Sequence, residues 1–232
     1  MFDYAGSFSA GLAPAAMRNC RYGYIDKTGK FAIEPQFDAA ENFNEGLALV
    51  RKDGVAGFID TTGQLVDLGL DLGLSPVGSF SDGVAWVEDV SGRQGLIDLE
   101  GRLLIDCRFA WTQEFSDGVA WASEDTGDDF SQIRMGLIDS SGNWLIEPGT
   151  YTDAQPFCEG VAWVRKTGQP GVYLIDKTGK ELFSMEDGRM PSTYTNGVSV
   201  NVGGNLLAIR DLTNTIVWSS KAYRPAYYGG FQ

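Results

Sequence analysis

Short apolar runs alternate with polar turns along the whole chain, and no stretch keeps a helical period. In Gly23-Tyr24-Ile25-Asp26-Lys27-Thr28-Gly29-Lys30-Phe31-Ala32-Ile33, two alternating apolar runs flank Lys27-Thr28-Gly29. Alternation with period two on either side of a glycine turn predicts a β-hairpin. A three-residue hairpin loop wants a type I turn followed by a left-handed residue, which glycine supplies without a clashing β-carbon. The Asp before the loop can accept hydrogen bonds from the turn amides. The same phrase returns at Asp60 with Gly63, Asp98 with Gly101, Asp139 with Gly142 and Asp176 with Gly179, and in degraded form at Asp211. The Asp-to-Asp steps are 34 (26 to 60), 38 (60 to 98), 41 (98 to 139), 37 (139 to 176) and 35 (176 to 211) residues. A period of this size means a repeat architecture.

A second phrase, aromatic-x-x-Gly-apolar-small, runs in phase with the first. It begins at Phe8, Phe43, Phe80, Phe115, Phe157 and Tyr194. Its glycine predicts another turn, leading into strands such as Leu47-Ala48-Leu49-Val50. Between the two phrases lies a further extended piece, Ile33-Glu34-Pro35-Gln36-Phe37-Asp38, where Pro35 favours an edge or a strand end. Each repeat therefore holds three or four short strands, and the expected fold is all-β. The repeats are read as one domain over 1–232, in units of approximately 2–36, 37–73, 74–108, 109–150, 151–187 and 188–232. A six-bladed β-propeller is the expected form, with an open β-solenoid of stacked hairpins as the alternative. Phe2–Phe8 matches Phe37–Phe43, so the chain is expected to open mid-unit. In a ring, its first strand would pair near Thr215–Trp218 and remove an edge.

The joint pattern resembles the WG (or KWG) repeats of mainly bacterial proteins. Their units read roughly W-G-[YF]-I-D-x-x-G-K, then an extended piece, then F-x-[ED]-G-L-A-x-V. The likeness covers almost the whole chain. It departs at the Trp, which is replaced by Tyr22, Ala56, Gln94 and Met135, and at the Gly slot of the last two copies, filled by Tyr173 and Ala208. The resemblance implies a non-catalytic binding or scaffolding array, one that can form part of a larger protein.

Composition narrows the chemistry. A hydrophobic share of 43% with 12% aromatics supports a packed core and argues against disorder. A net charge of −13 argues against nucleic-acid backbones or anionic membranes as partners, since phosphate contacts need clustered Lys and Arg. No apolar run approaches the roughly 18 residues of a membrane span. Met1-Phe2-Asp3-Tyr4 lacks the regions of a signal peptide, so the compartment stays open, with the cytoplasm favoured for the segment as given. The chain contains no histidine, which removes the commonest general base and zinc ligand. Cys20, Cys107 and Cys158 are far apart and read as reduced thiols. No metal site, cofactor or catalytic residue is expected, and the chain is read as not being an enzyme.

Two sets of residues are candidates for binding. Trp86, Trp121 and Trp163 share one repeat position; facing a groove they could stack sugars or cations, whereas the apolar Leu49 and Val200 at the same position favour packing. Glu124, Asp125, Asp128 and Asp129 sit in the longest connection, Ser123–Met135, and variable connections project from one face. Their spacing lacks the alternating ligands of an EF-hand, which favours a solvated loop. The stretch Asp67–Ser79, with its doubled Asp-Leu-Gly-Leu, reads as a distorted outer strand or a loop touching a partner. The recurring Asp26, Asp60, Asp98, Asp139 and Asp176, with Gly29, Gly63, Gly101, Gly142 and Gly179, are assigned to turns. The expected function is an interaction module presenting variable loops to a protein or peptide. The alternative is a carbohydrate-binding module or a propeller-type enzyme acting on glycosides, which needs two carboxylates about 5 Å apart for retaining hydrolysis.

Overall fold

The phrases fold into short antiparallel strands joined by glycine turns. A computed structural model of the chain describes residues 2–17, 21–70, 73–124, 134–185, 190–193, 196–203, 206–211, 213 and 216–219, and no helix occurs among them. Two compact units divide the chain, Met1–Gly118 with Ser140–Gly142, and Val119–Asp139 with Asn143–Gln232.

The first unit holds three four-stranded sheets, each in sequence order. They comprise β1 (Tyr4–Ala5), β2 (Leu12–Ala16), β3 (Tyr22–Asp26) and β4 (Phe31–Phe37); β5 (Ala39–Ala40), β6 (Leu47–Lys52), β7 (Val55–Asp60) and β8 (Leu65–Val66); and β9 (Ser75–Pro76), β10 (Val84–Glu88), β11 (Gln94–Asp98) and β12 (Leu103–Phe109). A short β13 (Trp111–Thr112) follows. In the second unit β14 (Val119–Ser123), β15 (Met135–Asp139), β16 (Trp144–Ala154), β17 (Val161–Lys166), β18 (Val172–Asp176) and β19 (Glu181–Met185) pair in succession. There β20 (Val198–Gly203), β21 (Leu206–Asp211) and β22 (Ile216–Ser219) form a further sheet.

Local chemistry accounts for the hairpins. Asp26 Oδ1 accepts the Thr28 N–H at 2.8 Å, the Thr28 hydroxyl at 2.6 Å and the Lys30 N–H at 3.2 Å. The Gly29 N–H donates to the Asp26 carbonyl at 2.9 Å, with Gly29 at φ 79°. Asp60 and Asp176 hold their turns in the same way. The second phrase makes a two-residue turn with both residues left-handed, Glu45 at φ 51° and Gly46 at 85°. This geometry matches the twist of the strands it joins.

The N-terminal strand joins the first sheet. Tyr4 stands opposite Ala16 and Ala5 opposite Ala15, so β1 pairs with β2 as the first strand of the first sheet. Ala39 and Ala40 stand in the same relation to Arg51 and Val50 in the second sheet. Only Asp38 separates β4 from β5, which is why the sequence phrase that ends one unit also begins the next.

Both faces of the middle sheet are buried. Leu12, Tyr24, Ile33 and Phe37 of the first sheet pack with Ala48, Val50 and Ile59 of the second. On the opposite face Leu49 and Phe58 pack with Ala85, Val87 and Ile97 of the third. Polar bridges accompany this packing: the Glu45 carboxylate accepts the Gly83 N–H, and the Asp82 carboxylate accepts the Gly118 N–H at 2.8 Å. In the second unit Glu159 accepts the Gly197 N–H at 2.8 Å and 3.0 Å.

Candidate functional site: a gap in the second sheet

The glycine before each apolar-Ile-Asp run has a steric reason. A β-carbon on Gly23 would lie 2.5 Å from the Ile33 carbonyl oxygen, on Gly95 2.6 Å from that of Ile105, and on Gly136 2.7 Å from that of Ile146. In all three sheets the fourth strand bulges over the glycine and then returns to pair with the start of the third: Tyr22 with Phe37, Gln94 with Phe109, Met135 with Tyr151. Where Tyr173 replaces the glycine, the register from Val172 opposite Met185 to Leu174 opposite Phe183 runs without a bulge. The departure at that copy thus has a backbone cause.

The second sheet keeps the glycine, and among the described residues no strand crosses it. Its fourth strand is β8, two residues long, and it pairs only Phe58 with Val66 and Ile59 with Leu65. Among the described residues, a β-carbon on Gly57 would meet only the Leu65 Cδ1, at 3.0 Å. Among the described residues, no strand pairs with Val55, Ala56 and Gly57 on this edge. The sequence cause is Asp67, which stands four residues after its turn glycine where Ile33, Ile105 and Ile146 stand in theirs. A carboxylate cannot replace the buried isoleucine without loss of hydration. Asp67 is exposed, and its Oδ1 caps the Gly69 N–H at 2.9 Å. Leu68, one residue later, meets Gly101 as Ile33 meets Gly63, and Leu68, Leu70 and Leu74 pack against the Leu49–Phe58–Phe80 cluster. Leu68 covers Gly101 so closely that a β-carbon there would overlap its carbonyl.

A cavity of about 800 Å³ lies along the uncovered edge. Val50, Phe58, Leu65, Leu68 and Leu70 make its walls apolar, and Gln36, Lys52, Asp53 and Asp67 contribute polar groups. Val55 and Leu65 are 72% and 71% exposed, unusual for apolar side chains beside a core. The rim is braced: Arg21 donates to Asp53 Oδ1 at 2.7 Å and to the Gln36 carbonyl at 2.9 Å, and Lys52 donates to Gln36 Oε1 at 3.0 Å. The size falls within the 300–1,000 Å³ of ordinary ligand clefts. Such a surface can take an apolar, hydrogen-bonding occupant. A second hollow, of about 540 Å³, is polar and lined by Tyr4, Glu41, Asn42, Asn44, Ser79 and Glu114.

The tryptophans require a correction as binding candidates. Trp86, Trp121 and Trp163 are 4%, 1% and 1% exposed. Their indole N–H groups donate to the Gln113 carbonyl at 2.8 Å, the Gln155 carbonyl at 3.0 Å and Ser199 Oγ at 3.4 Å. Trp86 packs on Phe109 and Phe115, and Trp121 on Tyr151 and Phe157. With faces and polar edge all committed to the protein, they offer nothing to a sugar.

Glu124 is exposed at the end of β14. Asp125, Asp128 and Asp129 lie outside the described residues. Asp98 accepts from Arg102 Nε at 2.6 Å, and Asp139 from the Asn143 N–H at 3.0 Å. Among the described residues no group of acidic, Cys or His side chains gathers to hold a metal. Burial pushes the Cys107 thiol up, helped by the nearby Asp89 and Asp106 carboxylates. The pattern missed two features: the open edge Val55–Gly57, and a further Asp turn at Asp89, which accepts from the Ser91 and Arg93 amides. Asp67 in an isoleucine position was the available signal for the first, and Asp89-x-x-Gly92 for the second.

Comparison with known proteins bears on the fold. Among solved structures, the computationally designed Ika8 protein is 14% identical, with 96% of this chain and 74% of that one covered and a TM-score of 0.59. Hsv2p of Kluyveromyces lactis is 7% identical over 90% of this chain and 75% of its own, at 0.54. BamB of Moraxella catarrhalis is 14% identical over 94% and 76%, at 0.50. These likenesses define the class: an all-β, propeller-like repeat protein. A family model described as "WG containing repeat" matches residues 22–55, 95–125 and 135–169, and these three stretches are repeats of the WG type. No curated protein matches it.

Proposed function

We propose that the chain is a non-catalytic interaction module that receives a protein or peptide partner in the gap of its second sheet. The observation supporting this is the apolar cavity of about 800 Å³ beside a strand edge that no described strand covers, at the point where the repeat breaks its own pattern. Function tends to sit where a rigid framework is interrupted. A non-catalytic role is supported by the absence of histidine and by the commitment of Asp26, Asp60 and Asp176 to their own turns. The carbohydrate alternative loses its aromatic platform with the burial of the tryptophans.

The test is selection of phage-displayed peptides on the immobilised protein, counter-screened against Val55→Glu and Leu65→Glu. Both side chains are largely exposed, so the substitutions leave the core intact. Selected peptides should lose binding to both variants. Peptides that bind the variants and the parent equally would sink the proposal.

A further inference from the structure

We draw no further inference here: the strongest candidate, the polar hollow of the first unit beside Tyr4, Glu41, Asn42 and Glu114, is a pair of carboxylates among exposed polar groups, and no second observation points to a ligand there.

Discussion

The carboxylate of Glu45 accepts the backbone N–H of Gly83, one repeat further along the chain, through both oxygens at 3.0 Å and 3.1 Å. Glu45 itself sits at a φ of 51°, a conformation that non-glycine residues adopt at a cost. The repeat accepts that cost at a residue whose side chain joins neighbouring sheets. Asp82 and Glu159, at φ 54° and 56°, do the same for Gly118 and Gly197.

Glu45→Ala removes the bridge and keeps an unfavourable backbone, so it should destabilise by about 1 kcal/mol. Glu45→Gly relieves the backbone while losing the bridge, and should cost less. Urea unfolding of the two variants reads the order directly. A more stable Ala than Gly variant would contradict the assignment.

Two turn glycines should differ although their conformations agree. Gly29 and Gly101 have φ of 79° and 78°. Nothing lies near a β-carbon at Gly29, while Leu68 blocks one at Gly101. Gly29→Ala should cost about 1–2 kcal/mol for the left-handed backbone alone. Gly101→Ala should cost clearly more, since the Leu68 segment must also move. Equal losses in urea would show that this segment yields freely.

Trp121→Ala should cost about 3–5 kcal/mol, as expected of a buried aromatic. Trp121→Phe should recover part of that loss, but leaves the Gln155 carbonyl without its indole donor. Glycan-array binding, if any is measured, should be the same for both variants and the parent.

Acid should loosen the turns. The Thr28 hydroxyl and then the Lys30 amide hold Asp26 below its ordinary value. Asp60 and Asp176 are likewise lowered, first by Thr62 and Thr178, and Asp89 is lowered first by Ser91. A depressed folded-state pKa stabilises above the unfolded value and ceases to do so as pH falls through the folded one. Stability should therefore drop below about pH 4. A variant with Asn at all four positions keeps an acceptor oxygen and should lose less between pH 4 and pH 2. Circular dichroism during acid titration distinguishes the two curves.

The legible parts of this fold were those decided within a few residues. Asp26 and Gly29 specify their turn inside one pentapeptide, and the order of turns then gives all-β repeats. The tryptophans carried less information, because a strand residue at a repeated position faces a neighbouring sheet or a groove with the same sequence signature. Only the indole bonds to Gln113 and Gln155 and the covering rings decide it. The two-residue length of β8 depends on where the chain goes after Asp67. An interval of 17 residues from Gly63 to Phe80, against 14 from Gly29 to Phe43, signals an irregularity but not its shape. The periodicity does not say where a unit is cut when a single residue, Asp38, separates strands of two sheets.

The eleven-residue β16 serves two partners at once, pairing with β15 through Trp144, Ile146 and Tyr151, and with β17 through Tyr151, Asp153 and Ala154. Detaching either neighbour exposes an edge of the same continuous strand. The β15–β17 segment should therefore open as one cooperative block. Hydrogen exchange would show its amides sharing a single opening free energy, while β4 and β5, broken apart at Asp38, are free to exchange on separate schedules.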